Sequence, residues 1–247
     1  ILRVYPEAEV FVRPLADGGE GTVDALTEGL GGRIRTISVS DPLGRPLQAD
    51  YGILTSPGQG EPLAVIEMAA ASGLPLLAAT ERNPLRTTTY GVGELILDAI
   101  RQGCRRFLIG IGGSATNDGG CGAAAALGAE FLDVKGQAFV PTGGTLTQIA
   151  HIRMKGLRET LAGAEVTVMC DIDNPLCGPA GAAAVFGPQK GADAAMVARM
   201  DAGLRHLAET LEKDVGMEVL TLAGGGSAGG FGAGAAAFFG GQLRMGY

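Results

Sequence analysis

Residues 104–120, CRRFLIGIGGSATNDGG, join a short apolar run to a stretch of glycine and small polar residues. The apolar run is typical of a buried strand, and the alanine-rich segment that follows at 119–127 is typical of a helix. Ordering glycine costs more backbone entropy than ordering any other residue, so a glycine run is expected where the backbone approaches a ligand or needs a positive φ. The stretch therefore predicts a strand-to-helix junction, which is where open α/β sheets bind their ligands.

The polar groups of this junction favour an anion cradle. Gly112 and Gly113 would let backbone N–H groups face a ligand, with the positive end of a helix dipole behind them. The side chains that would add donors or cap the helix are those of Ser114, Thr116, Asn117 and Asp118. The alternative is a capped strand-to-helix turn whose glycines only allow close packing. The sequence contains neither a P-loop nor a G-x-G-x-x-G dinucleotide fingerprint.

Outward from this junction, segments with strand and helix periodicity alternate along the chain. Strand-like or apolar runs lie at 10–15, 34–40, 49–54, 63–68 and 164–172, with a small hairpin at 131–139. Helices are expected at 23–30, 91–103, 119–127 and 194–216, after the glycines at 224–230, and at 148–154 around His151. The alternation predicts an α/β fold, and the turn DPLGRP at 41–46 marks a domain boundary.

The composition argues against several classes of function. The 247 residues carry a net charge of −7, the basic residues are scattered, and only 5% of the residues are aromatic. Long nucleic acid and anionic membrane surfaces are therefore not expected partners. The apolar glycine-rich stretch 228–241 is shorter than the roughly 20 residues of a membrane span, and no signal-peptide pattern opens the sequence.

Cysteine and histidine usage argues against a zinc site and against histidine-assisted nucleophilic catalysis. The four cysteines form no C-x-x-C pair, and the two histidines, His151 and His206, stand far apart on expected helix faces. We expect reduced, partly buried thiols and a cytoplasmic location. A general base, where the chemistry needs one, would then be a carboxylate.

A second glycine-rich junction, ADGGEGT at 16–22, combines two carboxylates with two glycines. Its candidate residues are Asp17, Gly18, Gly19 and Glu20. Oxygen ligands of this kind suit a magnesium or phosphate site. The alternative is a capping box, in which Asp17 and Glu20 bind the first backbone amides of the following helix.

Three later segments carry further candidates. CDIDNP at 170–175 places Asp171 and Asn174 after a strand, as metal or proton-transfer groups or as an Asx turn before proline. FGPQKGA at 186–192 carries Lys190, either a cation that reaches a phosphate or carboxylate or a solvated surface lysine. GGGSAGG at 224–230 presents Ser227 at another glycine turn before a helix. Glycine cradles, acids for Mg²⁺ and a few cations together indicate phosphoryl transfer.

The order of several long motifs resembles the bacterial type I glycerate kinase family. They are PLADGGEGTVDAL, IEMAAASGLPLL, RNPLRTTTYGVGELI, GIGGSATNDGG, CDIDNPLCGPAGAAAVFGPQKGA and GGGSAGGFGAG. The resemblance implies an ATP- and Mg²⁺-dependent kinase that converts D-glycerate to 2-phosphoglycerate. It also implies a fold in which residues 1–42 form part of a Rossmann-like α/β domain and residues 43–247 an inserted α/β domain. The family's APDSFKGS-like and TGEGRLD-like motifs are absent, so we expect the chain to correspond to the central portion of the family.

The resemblance also implies roles for individual residues. Asp171 is the expected base or Mg²⁺-linked carboxylate, Asp17 the second metal or substrate carboxylate, and Lys190 and Arg86 the cations for glycerate or the transferring phosphoryl group. The expected substrate- and nucleotide-binding residues are Gly18, Gly19, Glu20, Gly112, Gly113, Ser114, Thr116, Asn117, Asp118, Asn174 and Ser227, with Ser72 and Thr88 as weaker candidates. A homodimer is the expected assembly. A dinucleotide-dependent oxidoreductase and a non-catalytic metabolite-binding fragment stay open as alternatives.

Overall fold

A computed structural model describes residues 3–5, 19–55 and 61–244 of the chain. The strands are β1 (Arg33–Ser40), β2 (Pro46–Leu54), β3 (Leu63–Glu67), β4 (Arg106–Gly110), β5 (Glu130–Leu132), β6 (Ala138–Phe139), β7 (His151–Arg153), β8 (Glu165–Met169) and β9 (Gln242–Arg244). The helices are α1 (Thr22–Gly29), α2 (Ala69–Ser72), α3 (Tyr90–Arg101), α4 (Cys121–Ala126), α5 (Lys155–Thr160), α6 (Ala182–Phe186), α7 (Ala194–Val215) and α8 (Ser227–Phe239). The predicted α/β class is confirmed.

The main sheet has the strand order β1-β2-β3-β4-β8-β9. β1, β2 and β3 pair antiparallel, whereas β3, β4, β8 and β9 run parallel. Because parallel strands share a direction, the chain leaves β3, β4 and β8 at the same edge of the sheet. The predicted glycine-rich junction follows β4 at that edge.

The two faces of the sheet are covered unequally. Along β3, Ala64 and Ile66 belong to the large core with α3, α4, α7 and α8. The alternate residue, Val65, faces the opposite side, where it packs against Leu54 and against Val23 of α1 in a small separate cluster. α1 is thus held on its face of the sheet by a small apolar cluster, to which the partly buried Leu26, Leu63 and Leu108 also contribute.

The small second sheet has the order β6-β5-β7 and confirms the predicted hairpin. The helix expected at 148–154 is wrong, because His151–Arg153 forms β7 and pairs antiparallel with β5. The buried Ile152 lies opposite Phe131 in this ladder, and the exposed side chains on either side of Ile152 give the segment a strand alternation. His206 does lie on a helix, the long α7, as expected.

The turn predicted to separate two domains lies between β1 and β2, which pair over eight residues. The division at residue 42 stays a prediction. The strand expected at 10–15 lies outside the described residues. Among the residues that the structure describes, no helix is both long and apolar enough to cross a membrane.

The start of α8 lies very close to the loop that follows β4. Ala228, Gly229 and Gly230 have the left-handed φ values 51°, 69° and 88°. The carbonyl of Gly229 accepts a hydrogen bond from the Gly119 amide at 3.1 Å. A Cβ at Gly229 would stand 2.0 Å from the carbonyl oxygen of Thr116, so only glycine fits between the two backbones.

We predict that Gly229→Ala is more destabilising than Gly163→Ala. Both glycines have a left-handed φ, but a Cβ at Gly163 meets nothing within 4 Å. The control therefore carries only the backbone cost of about 1–2 kcal/mol. Gly229→Ala adds the steric conflict with Thr116, about 1–3 kcal/mol more. Urea unfolding measures both free energies, and equal values would contradict the close approach.

Candidate functional site

A cavity of about 290 Å³ opens at the carboxyl edge of β4 and β8. Its wall brings together Gly19, Gly112, Gly113, Ser114, Asp171, Lys190 and Ser227. These residues come from five segments that the sequence analysis selected separately. The fold therefore gathers most of the predicted ligand-binding segments around one space.

Lys190 is the buried cation of the cavity wall. It ends the 3-10 turn Pro188–Lys190, and only 2% of the residue is exposed. Its Nζ donates to the hydroxyl of Ser114 at 2.8 Å and to the carbonyl of Thr116 at 2.6 Å. Burial lowers the pKa of Lys190 to about 7, although the charge of Asp118 acts in the opposite direction. The interpretation of Lys190 as a solvated surface side chain is wrong.

The loop after β4 is fixed by hydrogen bonds to neighbouring segments, and two of its amides are left for a ligand. Gly113 has a φ of 69°, which favours glycine, and its carbonyl accepts from the Leu74 amide at 2.8 Å. The Ala115 amide donates to the Ser72 carbonyl at 2.8 Å. Within the described part of the chain, the amides of Gly112 and Gly113 have no acceptor, and both residues are exposed in the cavity wall. Two N–H groups are thus available to a ligand.

The cavity wall also contains Cys170 and Ser227, whose Sγ and Oγ atoms lie 2.7 Å apart. The Ser227 hydroxyl also donates to the carbonyl of Gly224, and the Cys170 thiol donates to the carbonyl of Ile172 at 3.0 Å. These contacts fix the start of α8 against the end of β8. Sequence reasoning did not select Cys170 as a wall residue, because a single buried thiol has no distinguishing pattern.

Asp118 does not line the cavity, and its carboxylate is fully buried. Its Oδ2 accepts from the amide and hydroxyl of Thr89 at 2.7 and 2.9 Å and from the Gly122 amide at 3.1 Å, and its Oδ1 accepts from the Gly120 amide at 3.2 Å. Burial raises its pKa while these hydrogen bonds lower it, and the net shift is upward. Asp118 therefore links the starts of α3 and α4. This role corresponds to the alternative of a capped strand-to-helix turn.

Other predicted residues also stand apart from the cavity wall. Thr116 and Asn117 are fully buried, and only the Thr116 carbonyl reaches the site, through Lys190. The side chain of Asn174 donates to the carbonyl of Ala180 at 2.8 Å. Arg86 is exposed, and neither it nor Glu20 lines the cavity. Asp17 and Gly18 lie outside the described residues.

The two weaker candidates, Ser72 and Thr88, are buried near this loop rather than in the wall. The Ser72 hydroxyl donates to the Thr88 carbonyl at 3.3 Å, and the Thr88 hydroxyl donates to Asp118 at 3.4 Å. Both side chains therefore help to fix this loop without lining the cavity.

Glu67 is a residue that sequence reasoning missed. It is the last residue of β3, and its Oε1 accepts from the Val23 amide of α1 at 2.7 Å. Burial raises the pKa of Glu67, while hydrogen bonds from the amides of Val23, Gly21 and Thr22 lower it, and the net shift is upward. The first turn of α1 is therefore capped by a carboxylate 44 residues away, whereas the predicted cap partner Asp17 lies outside the described residues.

Asp171 is the single described carboxylate in the cavity wall. In the part of the chain that the structure describes, no three His, Cys, Asp or Glu side chains form a group able to hold a metal ion. A nucleotide-bound Mg²⁺ needs only one or two protein carboxylates, because water and phosphates supply its other ligands. Asp171 fits one such position.

Comparison with known proteins gives a consistent result. A family model described as Glycerate kinase family matches residues 1–247. The chain is 50% identical to a glycerate kinase of Bacillus subtilis over 229 residues and 46% identical to a glycerate 2-kinase of Escherichia coli over 243 residues. A glycerate kinase 2 structure from Salmonella typhimurium LT2 superposes with a TM-score of 0.90 at 47% identity, over 99% of this chain and 64% of that one.

The matched region is a part of each relative. The alignments cover 93% and 98% of this chain but 59% and 63% of the Bacillus subtilis and Escherichia coli proteins. The chain thus spans about three fifths of the length of these curated relatives.

We predict that Asp118→Ala lowers the free energy of unfolding by about 3 kcal/mol or more. Three buried backbone amides, those of Thr89, Gly120 and Gly122, would lose their acceptor, at about 1–3 kcal/mol each. Asp133→Ala is the matched control, because Asp133 also accepts two backbone amides but in an exposed turn where water replaces it. Urea unfolding compares the variants, and a loss no larger than that of the control would contradict the structural role.

Proposed function

Because the chain belongs to the glycerate kinase family, we propose that it takes part in the ATP-dependent phosphorylation of D-glycerate to 2-phosphoglycerate. The name glycerate 2-kinase of the Escherichia coli relative supports the 2-hydroxyl as the acceptor. The chemistry would lie in the cavity at the carboxyl edge of β4 and β8.

The observation that carries the proposal is the buried side chain of Lys190. An ammonium group has three N–H donors, and two of them are used by Ser114 and Thr116. Lys190 forms no ion pair with any described carboxylate, although a buried charge is costly without a partner. An anion in the cavity would supply both the third acceptor and the missing negative charge.

The surrounding groups suit a phosphoryl group better than an apolar ligand. The amides of Gly112 and Gly113 add two neutral donors beside the cation. In phosphoryl transfer, positioning and neutralisation of charge on the phosphoryl oxygens supply most of the catalysis. Lys190 and these amides would hold the transferring group, with Gly19 on the wall beside it.

Asp171 is the proposed general base of the reaction. It would take the proton from the 2-hydroxyl of D-glycerate while that oxygen attacks the γ-phosphorus of ATP and the bond to the bridging β,γ-oxygen breaks, releasing ADP. Mg²⁺ bound to the nucleotide would neutralise the phosphate oxygens. If another group is the base, Asp171 is the described side chain that would bind this Mg²⁺. Asp17 is the second proposed carboxylate.

The remaining predicted binding residues stay part of the proposal. Ser114 and Ser227 would act as wall hydroxyls, and Arg86 as a cation that reaches the substrate from outside the wall. A homodimer, a cytoplasmic location and the division into residues 1–42 and 43–247 are also proposed. The four free cysteines are consistent with a reducing compartment.

We predict that Lys190→Met lowers kcat/KM for D-glycerate by about 10²- to 10³-fold, the loss typical of one charge-stabilising donor. Coupled ADP release measures the rate, on this chain and on a form extended to the length of its relatives. Lys135→Met is the matched control, because Lys135 is exposed in the β5–β6 turn and should leave the rate unchanged.

Three outcomes would contradict the proposal. The first is full turnover by Lys190→Met, and the second is NADH binding in place of ATP binding. The third is heat stabilisation by glycerate or ATP without any ADP release by either form, which would indicate a binding function alone.

We further predict that anion binding weakens as the pH rises through about 7. The pKa of Lys190 in the free protein is about 7, so the ammonium that binds the anion is lost above that pH. The dissociation constant should then rise by up to about tenfold per pH unit. Sulfate is the suitable probe, because its charge is constant from pH 6 to 9. Lys190→Arg, which stays charged, should give a flat profile, and a flat profile for the unchanged chain would contradict the assignment.

A further inference from the structure

We propose that Glu67 is a positioning residue, which holds the segment containing Gly19 against the cavity by binding the first backbone amides of α1. Its effect on catalysis rests on the function proposed above. Its effect on the local backbone does not.

The contact has the geometry of a helix cap supplied from a distance. α1 begins after Gly21, which has a φ of 91° and, as a glycine, has no side chain with which to cap the helix. The Glu67 carboxylate accepts from the Val23 amide at 2.7 Å, and the amides of Gly21 and Thr22 lie close enough to lower its pKa. A carboxylate at this end also interacts favourably with the helix dipole.

The other described contacts of α1 are mainly those of one small apolar cluster. The helix has eight residues, and the cluster consists of Val23, Leu54 and Val65 with the partly buried Leu26, Leu63 and Leu108 packed against it. Isolated helices of this length are unstable in water, so their position depends on tertiary contacts. Glu67, a residue only 9% exposed, therefore adds a buried polar contact that fixes the start of α1 beside this cluster.

The start of α1 and the anion cradle are linked through neighbouring strands. Glu67 ends β3 directly beside Gly110, the last residue of β4, in the parallel ladder. From Gly110 the chain enters the loop that contains Gly112 and Gly113. From the start of α1, the amide of Thr22 donates to the carbonyl of Gly19, which lines the same cavity. The segment with Gly19 and the loop with Gly112 and Gly113 are thus connected through the adjacent ends of β3 and β4.

The substitutions Glu67→Ala and Glu67→Gln test this role. Glu67→Ala removes both acceptors, whereas Glu67→Gln keeps one carbonyl oxygen at the same reach. We expect hydrogen exchange of the Gly21, Thr22 and Val23 amides to become at least about tenfold faster in Glu67→Ala, with an intermediate effect in Glu67→Gln. We also expect KM for D-glycerate to rise by about tenfold while kcat changes little, since a displaced wall weakens substrate binding.

Glu28→Gln is the matched control, because it removes one carboxylate from the exposed far end of the same helix. It should change neither exchange nor KM. If Glu67→Ala does not fold, as judged by urea unfolding, Glu67→Gln alone carries the test.

Two results would overturn the inference. One is unchanged exchange of the three amides in the Glu67 variants. The other is faster exchange without any change in KM, which would make Glu67 a cap and nothing more. If the unchanged protein releases no ADP, the proposed function fails independently, and the dissociation constant for sulfate replaces KM as the measure of the cavity.

Discussion

The ammonium group of Lys190, which is buried and paired with no carboxylate of the described residues, is the constraint on which the candidate site depends. Burial alone would expel such a charge or remove its proton. Two oxygen acceptors from the loop after β4 hold it, and the backbone of one of them, Thr116, lies close to the start of α8. The glycine at 229 permits that approach, because a side chain there would meet the Thr116 carbonyl. The close packing of α8 against this loop and the placement of the Lys190 charge therefore depend on the same backbone.

Much of the fold follows from local pattern. The alternation of Arg33–Ser40 and the helical spacing in Tyr90–Arg101 identify these elements without tertiary information. The glycine stretch after β4 likewise predicts an open backbone, because few other structures explain so many consecutive glycines and small residues. Such signals are local, because each of them lies within about ten to fifteen consecutive residues.

Other features depend on which segments contact each other in the fold, and local sequence patterns do not predict these contacts. Lys190 and Asp118 have the composition of loop residues, yet the fold buries both, one in the cavity wall and the other behind it. His151 stands in a segment with a short helical pattern, and pairing with β5 decides its conformation instead. Glu67 is a single charge at the end of an apolar run, and nothing near it indicates that it caps a helix 44 residues earlier.

The contrast between Glu67 and Asp118 shows how the fold uses carboxylates around this cavity. Each is buried, each has a raised pKa, and each is occupied by backbone amides at the beginnings of helices. Neither is available to a ligand, so the acids that shape the site are not those that face it. Asp171 is the one carboxylate among the described wall residues, and it lines the same cavity as the Lys190 cation and the two glycine amides. A site built this way separates the rigid framework, which is made by buried acids, from the few charges that would meet a substrate.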